Sequence, residues 1–337
     1  MKALSLTTPH EFQYLQLDNT IEISPNEALV KIHKIGICGT DYHAFQGKQP
    51  FFSYPRILGH ELGIEVVKIG SEVDNIKVGD KCAVEPYLNC GKCWACQRDL
   101  TNCCENIQVL GVHTNGGMTE YIKIPAHKLH VSAILNYEEL ALVETLGIGA
   151  HAVERASVTD KDTVLVIGAG PIGLSVMEFA KLKKAKVAVL DINTHRLDFC
   201  IQHQKADFAI LANEQAEENI KAAFGGNLPT VVLDATGNKQ SMHNAFNYPA
   251  AGGRLVFVGL YQGDFTFFDP NFHKRELSIF ASRNSKASDF TYIIKALENK
   301  QIDVNTWITH HVAFDEVASV FTNLLTDTTL VKAVISL

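Results

Sequence analysis

The pattern of apolar and polar positions changes near residue 148. Beyond that point short continuous apolar runs recur at 164–167, 187–190, 208–211, 231–234 and 254–258. Runs of this length, rich in Val, Leu and Ile and with little polar alternation, belong to strands buried on both faces. Between them lie segments of mixed polarity long enough for helices, at 171–183, 194–204, 214–223 and 240–247. Strand and helix in alternation predict a parallel, doubly wound sheet. Before residue 148 the texture differs. Residues 28–35 and 63–70 read as strands, 78–84 turn from Val-Gly-Asp into another, and Gly and Pro punctuate the rest. That is a β-rich region without helical periodicity. After residue 282 the pattern predicts a helix at 287–298 and a terminal strand at 331–337. Because the α/β segment lies mid-chain, the β-rich domain is expected to combine 1–147 with 283–337 around a domain of 148–282.

Composition narrows the picture. A length of 337 residues fits two domains, and 46% apolar with 20% charged residues is ordinary for globular proteins. A net charge of −7 argues against a nucleic-acid partner. No apolar run reaches the length of a membrane span. The start, Met1-Lys2-Ala3-Leu4-Ser5-Leu6, turns polar too soon for a signal peptide, so a cytoplasmic location is expected. In that compartment eight cysteines point to metal binding or catalysis rather than disulfides.

The first buried run ends in Gly168-Ala-Gly170-Pro171-Ile172-Gly173. This is G-x-G-x-x-G at a strand-to-helix turn. The first Gly permits the turn, the second lets a pyrophosphate approach the backbone, and the third lets helix and strand pack closely. The free N–H groups and partial positive charge of the helix start complete a phosphate site. The second run ends in Asp191, where the acid that accepts the ribose hydroxyls of NAD belongs. Strand, glycine turn, helix and acid together predict an NAD site.

Two metal sites are predicted in the β-rich region. Cys90, Cys93 and Cys96, followed by Cys103 and Cys104, supply C-x2-C-x2-C and a fourth thiolate seven or eight positions on. An all-sulfur tetrahedral set is the closed, structural kind of zinc site. Chemistry alone leaves the choice between Cys103 and Cys104 open. Cys38, His60 and Glu61 form a second candidate set, with Glu144 as a further carboxylate. Three protein ligands and an open position make a catalytic zinc site, where the metal acts as a Lewis acid.

These pieces together resemble the zinc-dependent medium-chain alcohol and polyol dehydrogenases, over essentially the whole chain. The matching stretches are CGTDYH (38–43), LGHE (58–61), VGDK (78–81), CGKCWAC to CC (90–104), NGGMTEY (115–121), GAGPIG (168–173) and GGRLVFVGL (252–260). The branch most similar contains sorbitol, threonine and sugar-acid dehydrogenases. The resemblance implies a GroES-like β-rich catalytic domain plus a Rossmann domain. It implies NAD and two zinc ions per chain, one catalytic and one structural. Cys38, His60 and a glutamate, Glu61 or Glu144, would hold the catalytic zinc; in sorbitol dehydrogenases the glutamate matching Glu61 is the direct ligand and the one matching Glu144 holds the zinc-bound water, a catalytic role. Cys90, Cys93, Cys96 and Cys104 would hold the structural one. Thr40 and His43 would relay the substrate proton. Gly168, Gly170, Ile172, Gly173, Asp191, Arg196, Val258, Leu260 and Arg283 would border the cofactor. A homo-oligomer, dimer or tetramer, is implied as well.

Departures from the branch shape the expected substrate. The family Gly three places after the Glu of GHE is Ile64 here, with Gly63 preceding it. Two tyrosines that contact polyols in sorbitol dehydrogenases are Ala44 and Asn284, whereas the arginine beside the second remains as Arg283. Ala44, Arg283 and Asn284 are therefore the expected substrate positions. A guanidinium can grip a carboxylate in a bidentate pair. The expectation is a small polyol or, preferably, a sugar acid. L-Threonine or vicinal-diol oxidation is the alternative, and a non-catalytic NAD- and zinc-binding protein is the alternative of another class.

Overall fold

The computed structural model describes residues 1–18, 20–203 and 206–337. It separates into two compact units, Met1–Thr145 with Ser285–Leu337, and Leu146–Asn284. The chain returns to the first unit after Asn284. Arg283 and Asn284 therefore lie in the second unit, not in the β-rich one as expected.

The first unit is built on a seven-stranded sheet. Its strands run in the order Leu129–Val131, Lys81–Val84, Glu61–Ile69, Glu27–Gly36, Lys332–Ser336 and Ile308–Ala313, and Tyr121–Pro125 also pairs with Glu27–Gly36. A three-stranded sheet of Glu11–Gln16, Lys2–Thr8 and Arg56–Ile57 accompanies it. Leu4, Leu6, Ile32, Ile35, Leu62, Ile64 and Phe321 are among the buried side chains of one continuous core. Gly36 is paired with Glu61 on one side and Val334 on the other. That register brings the end of the chain beside Glu61. Ile64 is fully buried opposite Ile32, so an apolar side chain rather than a glycine fills this position of the strand.

The second unit is a six-stranded parallel sheet. Its order is Phe208–Leu211, Lys186–Asp191, Thr163–Ile167, Val231–Asp234, Arg254–Phe257 and Ser278–Ala281. In chain order this is 3-2-1-4-5-6, the doubly wound arrangement of dinucleotide-binding folds. Ser278–Ala281 is an additional strand that the pattern did not predict. Helices at Pro171–Leu182, Thr194–Gln202 and Ala216–Ala223 fall within the predicted segments. Gln204, the last residue of one predicted helix, lies outside the described residues.

Several helices escaped the sequence reading. Gly39–Phe45 is a helix inside the region read as β-rich, and Val317–Thr326 lies in the C-terminal segment. The longest, Tyr137–Arg155, crosses from one unit to the other. Its residues 141–147 are all buried, so no polar face marks a helical period. No helix among the described residues is long and apolar enough to cross a membrane.

Candidate active site and metal centres

Cys38 stands at the N-terminus of the helix Gly39–Phe45, and its backbone N–H donates to Asp41 Oδ2 at 2.9 Å. Asp41, Ala44 and Phe45 form the buried side of that helix. Thr40 is half-buried and His43 exposed. Three residues apart, they lie on neighbouring turns of the same side. Desolvation of the His43 ring, reinforced by the charge of Lys48, lowers its pKa below the ordinary value. Its neutral form is therefore available to accept a proton at neutral pH. Ala44 is 1% exposed within the apolar core, and its carbonyl accepts from Tyr54 Oη at 2.5 Å.

His60 and Glu61 enter at the start of the strand Glu61–Ile69. Donor atoms of Cys38, His60 and Glu61 all lie within 4.8 Å of one another. His60 Nδ1 is buried with no hydrogen bond in the protein and faces Asp41 Oδ1 at 3.8 Å, while Glu61 Oε2 is ion-paired with Lys332 Nζ at 2.5 Å. A thiol, an imidazole and a carboxylate converging this closely fit a zinc ion, whose ligand set is sulfur, imidazole and carboxylate. Gly36 makes room for this carboxylate, since a Cβ there would stand 2.0 Å from Glu61 Oε2.

Two buried residues that the sequence reading missed complete the surroundings. Lys332 Nζ donates to Glu61 Oε1 at 2.5 Å, and the two side chains are 2% and 0% exposed. Burial would lower the Lys332 pKa, but the Glu61 charge overrides it and holds the ammonium above its ordinary value. Tyr87 Oη donates to Glu144 Oε1. Burial raises the pKa of Glu144 and that of Tyr87. Lys332 and Tyr87 lie far from their partners in sequence, so no local motif announces them.

The second metal centre is a compact loop. Donor atoms of Cys90, Cys93, Cys96 and Cys104 lie within 4.8 Å of one another, while Cys103 is exposed. Backbone N–H groups of Lys92 and Cys93 draw the Cys90 pKa down to about 6. The Cys90 N–H donates to Cys104 Sγ at 3.2 Å, although burial pushes the Cys104 thiol up to about 11. Four converging sulfurs, some already stabilised as thiolates, fit a closed structural zinc.

The second unit carries the dinucleotide cradle. Gly168 has φ +96°, and a Cβ on Gly173 would stand 1.7 Å from the Gly168 carbonyl oxygen. Gly170 caps the helix Pro171–Leu182, and a Cβ there would meet only Arg196 Nη1, at 3.8 Å. That open side is where a phosphate approaches the free N–H groups, with Ile172 in the first turn. Asp191 accepts from Ala169 N at 2.6 Å and Asn193 N at 2.8 Å. Val258 and Leu260 follow the fifth strand, and Arg283 and Asn284 the sixth. Gly168, Val258, Leu260 and Arg283 thus follow carboxyl ends of parallel strands and Asp191 ends one, where such sheets bind ligands.

Residues 24–133 match the alcohol dehydrogenase GroES-like domain, and residues 171–299 match the zinc-binding dehydrogenase family. The L-galactonate-5-dehydrogenase of Escherichia coli K12 is 39% identical over 337 residues, covering 100% of this chain and 99% of that protein. The chain is a member of the zinc-binding dehydrogenase family. The chain is a dehydrogenase that acts on alcohol groups, as are its named relatives L-galactonate-5-dehydrogenase and D-arabinitol dehydrogenase 1 of Uromyces fabae. A solved relative, a short chain alcohol dehydrogenase (rspB) from E. coli CFT073 complexed with NADH, superposes with a TM-score of 0.93 at 29% identity. It covers 100% of this chain and 99% of its own. A zinc-binding dehydrogenase from Sinorhizobium meliloti 1021 bound to NADP gives a TM-score of 0.91 at 26% identity, with the same coverage of both chains.

Proposed function

We propose that this dehydrogenase oxidises a secondary alcohol of a sugar acid with NAD, through a zinc site made of Cys38, His60 and Glu61. The observation that carries the reading is the convergence of those three donors within 4.8 Å, half-buried at Cys38 and buried at His60 and Glu61. When bound there, zinc supplies Lewis acidity that lowers the pKa of an alcohol. The Thr40 hydroxyl would accept the alcohol's proton while handing its own proton onward, and the neutral His43 ring would accept the relayed proton and release it to solvent. Gly168, Gly170, Ile172 and Gly173 hold the pyrophosphate. Asp191 binds the adenosine ribose and disfavours the extra phosphate of NADP; Arg196, Val258 and Leu260 border the cofactor. Cys90, Cys93, Cys96 and Cys104 hold the structural zinc.

The substrate class rests on the full-length similarity to L-galactonate-5-dehydrogenase and on Arg283, whose fork suits a carboxylate. Asn284, in the left-handed conformation at φ 54°, sets the direction of that loop. Ala44 is left out of the substrate contacts because its side chain is buried. A panel of aldonates, neutral polyols and amino alcohols, followed by NADH absorbance, tests the reading. The highest kcat/KM is expected for an aldonate; a neutral hexitol, threonine or a vicinal diol at the top would replace it. Arg283→Lys should weaken kcat/KM for acids and leave neutral polyols and the KM for NAD nearly unchanged. Equal losses for both substrate kinds would assign Arg283 to the cofactor. We further propose a cytoplasmic homo-oligomer, dimer or tetramer, to be checked by light scattering and fractionation.

A further inference from the structure

Each of the two buried glutamates near Cys38 and His60 has its own partner. Glu61 faces Lys332, whereas Glu144 accepts a hydrogen bond from Tyr87. Tyr87 is 2% exposed and has a single hydroxyl hydrogen to give. It sits on the two-residue strand Tyr87–Leu88, antiparallel to Gln108–Val109. A ladder this short does not hold itself together in water. The connection between its strands, however, is the loop that contains Cys90, Cys93, Cys96 and Cys104. Drawing those four sulfurs together shortens the loop that must be closed. Upstream, Glu85 N–H donates to the Lys128 carbonyl at 2.9 Å, and Lys128 Nζ donates to Glu85 Oε1 at 2.5 Å. Tyr87 is thus clamped from both sides.

We infer that Tyr87 is a positioning residue. Its hydroxyl holds Glu144 beside, but off, the metal position formed by Cys38, His60 and Glu61, and the four-cysteine loop keeps Tyr87 in place. The inference rests on the zinc-site reading above. Glu144 is absent from the set of donors within 4.8 Å, which comprises Cys38, His60 and Glu61. Its carboxylate is nonetheless close enough to share its electrostatic surroundings with His60 and Glu61. Freed from Tyr87, it can swing onto the metal and occupy the position an alcohol needs. Outer residues that orient a metal site typically cost about 10–100-fold in affinity or activity when removed.

The test uses the full-length enzyme with cobalt(II) exchanged into the labile site. Visible d–d bands in the unaltered protein establish that the site takes metal; their absence would undo the zinc-site reading itself. Tyr87→Phe should keep two metals per chain and the KM for NAD, lose about 10-fold in kcat, and shift the cobalt bands. Glu144→Ala should leave the bands as in the unaltered protein, because Glu144 is not a ligand there. The double variant should lose the shift seen in Tyr87→Phe, since the carboxylate that moves is gone. Unchanged bands and kcat in Tyr87→Phe would overturn the inference. A band shift in Glu144→Ala would also overturn it, and that arm stands even if Tyr87→Phe fails to fold.

Discussion

Lys332→Met removes the positive charge hydrogen-bonded to Glu61 and keeps a side chain of similar length. The pair lies at 2.5 Å with both side chains nearly inaccessible. At that separation and an effective dielectric near 20, the attraction is about 7 kcal/mol, an upper figure before desolvation is subtracted. Removing one partner of a buried pair costs about 3–5 kcal/mol, because the other charge is left bare. The expected loss for the metal-free protein is therefore about 3–5 kcal/mol. With zinc bound, the divalent charge compensates Glu61, and the loss should fall below half of that. Urea unfolding of both proteins, each with and without zinc, gives the comparison as a double difference in which the four-cysteine site cancels. A two-unit chain need not unfold in one step, but Trp94 and Trp307, the two tryptophans of the chain, both lie in the first unit. Trp307 is fully buried, so its fluorescence follows the unit that holds the pair. A metal-free loss under about 1 kcal/mol, or equal losses with and without zinc, would refute the argument.

Other outcomes follow from the same geometry. Gly173→Ala places a methyl 1.7 Å from the Gly168 carbonyl, so NAD binding measured by calorimetry should be lost or weakened at least about 100-fold. Cys104→Ser should lower the zinc content by one ion per chain, whereas Cys103→Ser should not, because only Cys104 points into the sulfur cluster. Metal analysis that gives the reverse would reassign the ligand. Asp191→Ser should narrow the preference for NAD over NADP, by up to about 4 kcal/mol of relieved repulsion at 4 Å. Because Asp191 also ties the N–H groups of Ala169 and Asn193, the KM for NAD should rise at the same time. Equal kcat/KM for the two cofactors in the unaltered enzyme would remove Asp191 from that role.

Parts of this protein were legible in the residues themselves. The cradle at Gly168–Gly173 and the cysteines of the metal loop depend on spacing over a few positions, and spacing is what a sequence displays. Backbone strain at Gly168 and the close approach at Gly173 admit few other residues there. The long helix Tyr137–Arg155 was invisible for the opposite reason, since complete burial of 141–147 erased the polar face that reveals a period. Ala44 shows a further limit. Its match to a polyol-contacting tyrosine of sorbitol dehydrogenases suggested a substrate contact, but the helix turns its methyl into the core.

The partners of the two glutamates were decided only by tertiary structure. Lys332 meets Glu61 across 271 positions, and Tyr87 meets Glu144 across 57. The sequence placed the carboxylates near the metal ligands but could not say which would be neutralised by an ammonium and which held by a phenol. That depends on sheet register: Gly36 pairs with both Glu61 and Val334, which carries Lys332 to the carboxylate. A buried charge must find its counter-charge or a donor wherever the fold brings one within reach. Distance along the chain does not limit that choice.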